Sequence, residues 1–250
     1  MIAALLVTHN SSQFIEQTLK SISNQTRQPD IRIAIDDHSS DNTVRILEES
    51  GFTVIKSTTA SSDVTTRIAQ NFVQGVNCCV ERGATAIILG DHDDVWYPYR
   101  IEHQVNMLNQ NPEIALLASD GLTGEESTLR TTFPVPENFN DLDKTTQWKY
   151  VSKHSVVTGG ASAIVPTNLS TIEVPEGWLH DRWWSLRAVR ERAIRIDQMV
   201  VIEYQLSSQQ QVGLNTRGQQ NFLTRAAFQL QNIPLMTKKM RNISALLGEE

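Results

Sequence analysis

Gly90-Asp91-His92-Asp93-Asp94-Val95-Trp96-Tyr97-Pro98 is the stretch that orders the rest of the chain. Immediately before it, Ala86-Ile87-Ile88-Leu89 is a short apolar run that reads as a buried strand. A glycine ends the run, and three carboxylates follow within four residues. Carboxylates so close repel one another, and burying them unpaired is costly. A hard cation such as Mg²⁺ or Mn²⁺ lifts that penalty, because it takes oxygen ligands and bridges to phosphates. The C-terminal end of a strand is also where open α/β sheets bind ligands. The plain alternative is a solvated acidic turn. The buried strand before the acids, and the aromatic and proline after them, favour a metal–phosphate site.

Upstream, residues 1–7 read as a first buried strand running into Thr8-His9-Asn10. Ser11-Ser12 can cap a helix whose Ile15, Leu19 and Ile22 share one face. A second strand, residues 31–35, leads directly into Asp36-Asp37-His38-Ser39-Ser40-Asp41-Asn42-Thr43. Asp41 is the expected cap of a helix over 43–50, with Gly51 as its stop. A third strand is expected over 52–56, a polar loop over 57–66, and a helix over 67–82 carrying Ile68, Phe72, Val76 and Val80. The β-α-β-α-β-α-β order predicts right-handed crossovers and a parallel sheet. Both acidic loops then leave C-terminal strand ends on one sheet edge, where they can address a single ligand.

Downstream the pattern is less regular. A helix is expected over 99–109 and a strand over 114–119, and residues 122–150 read as an irregular excursion. Short strands are expected at 156–157 and 161–165 around Thr158-Gly159-Gly160, and a further strand over 199–204. Trp178-Leu179-His180-Asp181-Arg182-Trp183-Trp184 leads into a helix to about residue 192. From Gly218, the apolar positions Phe222, Ala226, Leu230 and Ile233 predict a helix broken at Pro234, followed by another with Lys238, Lys239 and Arg241.

Composition bounds the class. A chain of 250 residues, 40% hydrophobic and 20% charged, can build a full core as a globular protein. A net charge of −6 argues against a nucleic-acid binder. Cys78 and Cys79 are adjacent, so a disulfide between them is not expected, and no Cys/His spacing fits zinc. They read as reduced core residues of an intracellular protein, with a cytoplasmic location expected. No apolar run approaches membrane-span length, and the N-terminal run lacks the basic residues of a signal peptide.

Three segments together resemble a family 2 glycosyltransferase of the GT-A fold, of the rhamnosyltransferase-like kind. Leu6-Val7-Thr8-His9-Asn10 is similar to the opening strand and its Thr-Tyr-Asn type turn. Asp36-Asp37-His38-Ser39-Ser40-Asp41-Asn42-Thr43 resembles the family's D-D-G-S-x-D-N-T, with His38 for the glycine. Gly90–Trp96 is similar to the S-D-Q-D-D-V-W version of its DXD motif. The resemblance implies a Rossmann-like, mostly parallel central sheet with helices on both faces and a mixed, acceptor-side second half. The expected division is a GT-A domain over 1–217, with its nucleotide-binding half at about 1–120 and its acceptor half at about 121–217. A helical extension over 218–250 follows.

The resemblance also implies roles. Asp37, beside Asp36, would accept a hydrogen bond from a uracil or thymine N3–H, with Thr8, His9 and Asn10 lining the base. Arg67 would approach the nucleotide. Asp91 would order the loop, His92 would bind the nucleotide-sugar, Asp93 would face the ribose or the metal, and Asp94 would coordinate Mn²⁺ or Mg²⁺. Gly159 and Gly160 would form a small-residue turn near the donor sugar. Asp181, at the start of a late helix where the dipole favours its ionised form, would be the catalytic base. Trp178, Trp183 and Trp184 would offer an acceptor-stacking wall, with His180 beside them. The bland alternatives are helix caps for Asp36-Asp37 and Asp181, a solvated helix end for Arg67, and core for one of the tryptophans. The implied reaction is inverting transfer of a rhamnose- or glucose-class sugar from a UDP- or dTDP-sugar to a glycan or lipid-linked glycan. A non-catalytic nucleotide-sugar-binding module is the alternative class. The basic, amphipathic C-terminal stretch is expected either to pack on the domain or a partner subunit, or to touch an anionic membrane.

Overall fold

A computed structural model describes residues 1–124, 127–205 and 233–248, with side chains in the last stretch from residue 238. The first half is the expected alternation: β1 (Ile2–Thr8), α1 (Ile15–Ser23), β2 (Ile31–Asp36), α2 (Thr43–Glu49), β3 (Thr53–Lys56), α3 (Val64–Glu81) and β4 (Ala86–Asp91). These four strands are mutually parallel in the order β3-β2-β1-β4. Strands covered on both faces need apolar residues on both, which is why they read as unbroken runs. Leu5, Ile33, Ile35, Ile87 and Leu89 join Phe72, Val76 and Cys79 of α3 on one face. Leu6, Ala34 and Ile88 join Ile15, Leu19 and Ile22 of α1 and Leu47 of α2 on the other.

The second half adds β5 (Val95–Trp96), α4 (Arg100–Gln110), β6 (Leu116–Gly124), β7 (Ser127–Thr128), α5 (Leu129–Thr132), α6 (Lys144–Val151), β8 (Ser162–Ile164), α7 (His180–Arg190), β9 (Ile194–Glu203) and α8 (Ile233–Gly248). The sheet continues β4-β8-β6-β9-β5, with β7 beside β6. β8 is antiparallel to both β4 and β6, β6 and β9 are parallel, and β5 is antiparallel to β9. The sheet is therefore parallel in its nucleotide half and mixed in its second half, as the GT-A resemblance implies.

Several local expectations are corrected. α3 begins at Val64, not 67, because Asp63 caps it by accepting the Thr66 N–H at 2.7 Å. The first turn carries little apolar signal. Ser11 and Ser12 do not cap α1, whose N-cap Phe14 lacks a side-chain bond. Ser11 instead accepts the Phe14 and Ile15 N–H groups through its carbonyl, and its own N–H donates to the Thr43 hydroxyl at 2.7 Å. The described residues of 122–150 are more regular than expected and include α6, capped by Asp143. That helix was hidden because only Gln147 and Val151 along it are buried. Residues 156–157 form no strand, and Gly159–Ala161 is one 3-10 turn. β9 starts five residues earlier than expected, at Ile194 rather than 199, because its register partner β6 supplies the hydrogen bonds.

The expected helix over 218–230 lies outside the described residues. Pro234 stands in the first turn of α8, where its missing N–H costs nothing. α8 packs on the domain: Leu246 is buried, Ile243 joins the core, Lys238 pairs with Glu176, and Arg190 donates to the Leu247 carbonyl at 3.2 Å. No described helix is long and apolar enough to cross a membrane.

Candidate active site

β1 and β2 run side by side with Thr8 opposite Asp36. Asp36 is buried and serves its own loop. It accepts from the Thr8 hydroxyl at 3.2 Å, the Ser39 hydroxyl at 2.6 Å and the Ser39 N–H at 2.9 Å. Asp37 is held differently. Its N–H donates to the Thr8 carbonyl at 2.8 Å, and its carboxylate accepts from Arg67 Nε at 2.6 Å. The early start of α3 places Arg67 in that helix's first turn, facing Asp37. His9 Nδ1 lies 2.5 Å from the Asp37 carbonyl, so Nδ1 is the donor and Nε2 accepts from the Asn10 amide at 3.1 Å. The Asn10 side-chain oxygen Oδ1 accepts from the Ser40 N–H at 2.8 Å, tying the two loops together. His38 has φ +58°, a left-handed conformation that glycine adopts without strain. This accounts for the glycine at the matching place in the resembled motif.

The acidic loop emerges on the same edge, since Val7 is register partner to both Ile35 and Asp91. It is pinned to α1, where the Thr18 hydroxyl donates to the His92 carbonyl at 3.0 Å and the Trp96 N–H to the Ser21 hydroxyl at 2.9 Å. Asp94 is fully buried; its Oδ1 accepts from the Gln205 N–H at 3.2 Å, and its Oδ2 has no partner. A methyl group at position 160 would overlap that Oδ2 and stand 2.8 Å from Asp91 Oδ2. Two carboxylate oxygens therefore converge on the bare backbone of Gly160. Burial, with Asp93 and Asp181 adding to it, pushes the Asp91 carboxyl up to about 7. Burial and the charges of Asp91 and Asp93 hold Asp94 well above the usual carboxylate range. Asp93 itself is buried and shows no side-chain bond among the described contacts.

Sequence reasoning missed Arg100. It is fully buried, donates through Nη2 to the Leu89 carbonyl at 2.6 Å and lies 3.9 Å from the Trp96 ring centre. Burial pulls its guanidinium down to about 9, against the pull of Asp94 and Asp91. It is the internal counter-charge to the acids. The only sequence signal was an arginine one turn beyond the acidic loop, a position ordinarily solvated.

The acidic pair fits a divalent cation. One buried oxygen lacks any partner, a second converges with it, and hard oxygens are what Mn²⁺ and Mg²⁺ take. Among the described residues no three carboxylate, imidazole or thiolate groups surround one point. A cation there would take its other ligands from phosphate and water.

Across the sheet edge, α7 opens with His180 and Asp181, and its N-cap is Leu179. Asp181 is therefore not the cap. Burial raises its carboxyl to about 6, opposed by the Arg182 N–H, the Arg182 charge and the Gly159 N–H. Asp91 feels the Asp181 charge, so the two halves of the chain meet at one cluster.

The expected acceptor wall is corrected. Trp184 is fully buried and donates from Nε1 to the Ile172 carbonyl at 2.8 Å. His180 is buried between Phe72, stacked at 3.7 Å, and Trp184. Trp178 has Trp183 at 5.3 Å and Lys239 Nζ of α8 at 5.1 Å from its ring centre. These side chains pack in the core because apolar area is worth more buried than held open for a ligand.

A parallel half-sheet carrying a nucleotide-type loop and an acidic loop on one edge, joined to a mixed half-sheet, defines the GT-A class of fold. The family model for glycosyl transferase family 2 matches residues 4–164, and the chain belongs to that family. No protein of curated function matches its sequence. Its fold is similar to that of S. aureus TarS residues 1–349 in complex with UDP, with a TM-score of 0.58 and 13% identity over 82% of this chain. It is also similar to glucosyl-3-phosphoglycerate synthase from Mycobacterium tuberculosis in complex with Mn²⁺, UDP and glucosyl-3-phosphoglycerate. There the TM-score is 0.55 and identity 18%, over 83% of this chain and 72% of that one. The mannosyltransferase PcManGT from Pyrobaculum calidifontis, in complex with GDP-Man and Mn²⁺, gives 0.55 and 13% over 83% of this chain and 57% of that one. The chain spans about 60% of the TarS fragment's length.

Proposed function

We propose that this chain is an inverting, metal-dependent glycosyltransferase. It moves a sugar of the rhamnose or glucose class from a UDP- or dTDP-sugar to a glycan or lipid-linked glycan. The observation that carries the reading is the convergence of Asp91 and Asp94 on Gly160, with Asp181 within electrostatic reach. The similar folds solved with UDP, GDP-Man and Mn²⁺ support a nucleotide-sugar donor and a divalent cation. In this reading residues 1–217 are the catalytic domain and 218–250 a helical extension.

Asp37, oriented by Arg67, accepts the base N3–H. Thr8, His9 and Asn10 shape that pocket, and Asp36 holds its loop. Asp93 faces the ribose. Asp94 and Asp91 would hold the cation, which would neutralise charge on the diphosphate leaving group. Gly160 keeps the space beside these acids free of side chain, and Gly159 does the same beside His180. Asp181 takes the proton from an acceptor hydroxyl as its oxygen bonds the anomeric carbon from the face opposite the nucleotide. The anomeric carbon–phosphate oxygen bond breaks, releasing nucleoside diphosphate. An Asp181 carboxyl near 6 is ionised at neutral pH yet basic enough to accept that proton.

The test is calorimetry of UDP and dTDP with Mn²⁺ and in EDTA, followed by incubation with a nucleotide-sugar panel. Tighter binding with Mn²⁺, and slow hydrolysis of one donor, are expected. Equal affinity in EDTA would remove the metal role, and donor binding without hydrolysis would mark a non-catalytic module.

A further inference from the structure

Arg100 and Gln104 stand one turn apart on α4, and both side chains are fully buried. Burying a guanidinium and an amide is costly unless their donors are used. Arg100 Nε donates to Gln104 Oε1 at 3.2 Å, which makes the two one unit. Arg100 Nη2 donates to the Leu89 carbonyl at 2.6 Å and to the Ser162 carbonyl at 3.4 Å. Gln104 Nε2 donates to the Ala161 carbonyl and to the Ser119 hydroxyl, each at 3.0 Å. Among the described residues none of these bonds reaches a carboxylate. They bridge the ends of two neighbouring strands instead. β4 and β8 pair at Ile87–Ile164 and Ile88–Ala163, and the same antiparallel register would next oppose Leu89 and Ser162. The ladder stops short of that pair, and the guanidinium takes its place between the two carbonyls. Trp96 closes the far side: its ring centre lies 3.9 Å from Arg100 Cζ, and a Cβ on Gly90 would stand 2.5 Å from the ring. The pinned strand ends lead straight into the acidic site. Leu89 precedes Gly90 and Asp91, and Ala161 follows Gly160, whose bare backbone faces Asp91 and Asp94.

We propose that Arg100 and Gln104 are positioning residues, a clamp on one face of α4 that sets the gap between the Asp91–Asp94 loop and the Gly160 turn, and with it the fit of the cation. This rests on the reading of Asp91 and Asp94 as the cation's ligands. Two carbonyls cannot bond each other, so strand ends that part at a site need donors from a third element to fix their spacing. The charge of Arg100 offsets the acids; its bonds, shared with Gln104, hold the gap. The two roles differ in what they forbid. A counter-charge alone tolerates any change that keeps the charge, whereas a clamp fails when its donors are lost.

The test uses two variants that leave the charge unchanged, Gln104→Met and Arg100→Lys, in the full chain. Methionine keeps the length of glutamine without its amide. Lysine keeps the positive charge but lacks the planar fork that joins Leu89, Ser162 and Gln104. Calorimetry gives UDP affinity with Mn²⁺ and in EDTA, and hydrogen exchange of the metal-free protein follows residues 86–91 and 159–164. Each variant should lose about tenfold or more of its Mn²⁺-dependent affinity, the scale for removing a group that orients a metal ligand, with affinity in EDTA unchanged. Exchange should quicken about tenfold in those two segments, with residues 31–36 of β2 as in the parent. A merely structural role would not change the Mn²⁺-to-EDTA ratio of the folded protein. Parental Mn²⁺-dependent affinity in Gln104→Met, or parental exchange at both segments, overturns the proposal. If Gln104→Met does not fold, Arg100→Lys decides on the same two readouts. Failure of the metal reading looks different, because the parent itself then binds UDP equally in EDTA. Exchange alone judges the clamp in that case: quickened exchange sustains it, and parental exchange refutes it.

Discussion

Asp181→Asn separates catalysis from stability. The amide keeps the size of the carboxyl and its acceptor oxygen, so the Arg182 N–H bond at 2.5 Å can persist. It cannot take a proton, so turnover should fall by about 10²–10⁴-fold, with UDP affinity nearly intact. Stability should move the other way. In the folded protein the Asp181 carboxyl sits near 6 against an ordinary 3.8, so ionising it opposes folding. That opposition is absent below pH 3.8, grows as pH rises, and is complete above about 6. From 3.8 to about 6, at ~1.4 kcal/mol per pH unit, the penalty is about 3 kcal/mol. Asp181 keeps partial solvent contact, so this is an upper bound. The asparagine variant should therefore be more stable than the parent at pH 8 by about 1–3 kcal/mol, and indistinguishable near pH 4. Urea unfolding at four pH values reads this difference. Parental turnover, or a stability gap that does not grow with pH, refutes the reasoning.

Four further outcomes are expected. Gly160→Ala places a methyl against Asp94 Oδ2 and 2.8 Å from Asp91 Oδ2, so Mn²⁺-dependent UDP binding should be lost while the circular dichroism spectrum is kept. Calorimetry with and without EDTA checks it. Arg67→Met removes the 2.6 Å partner of Asp37, and UDP affinity should weaken about tenfold or more, the scale of a charged hydrogen bond. Leu246→Ala empties the buried contact of α8 and should cost about 2–3 kcal/mol in urea unfolding. Vesicle co-sedimentation should not change on deleting residues 235–250, because the buried Leu246 and the half-buried Ile243 pack on the domain core.

The sequence by itself determined the nucleotide half. Strands buried on both faces must be apolar throughout, and helices on such a sheet must be amphipathic, so local periodicity alone gave β1 to β4 and their helices. Parallel crossovers then put Asp36-Asp37 and Asp91–Asp94 on one edge, without any knowledge of distance. The second half carried weaker signals. α6 buries little, β8 is three residues long, and β9 takes half its meaning from pairing with β6. Only the tertiary structure decided that Asp91 joins Asp94 at Gly160, that Arg100 lies beneath them as counter-charge, and that the tryptophans are core rather than wall. Each of these depends on which atoms meet across segments far apart in the chain. Side-chain direction and partner identity there are set by packing, and residue type and spacing do not encode them locally.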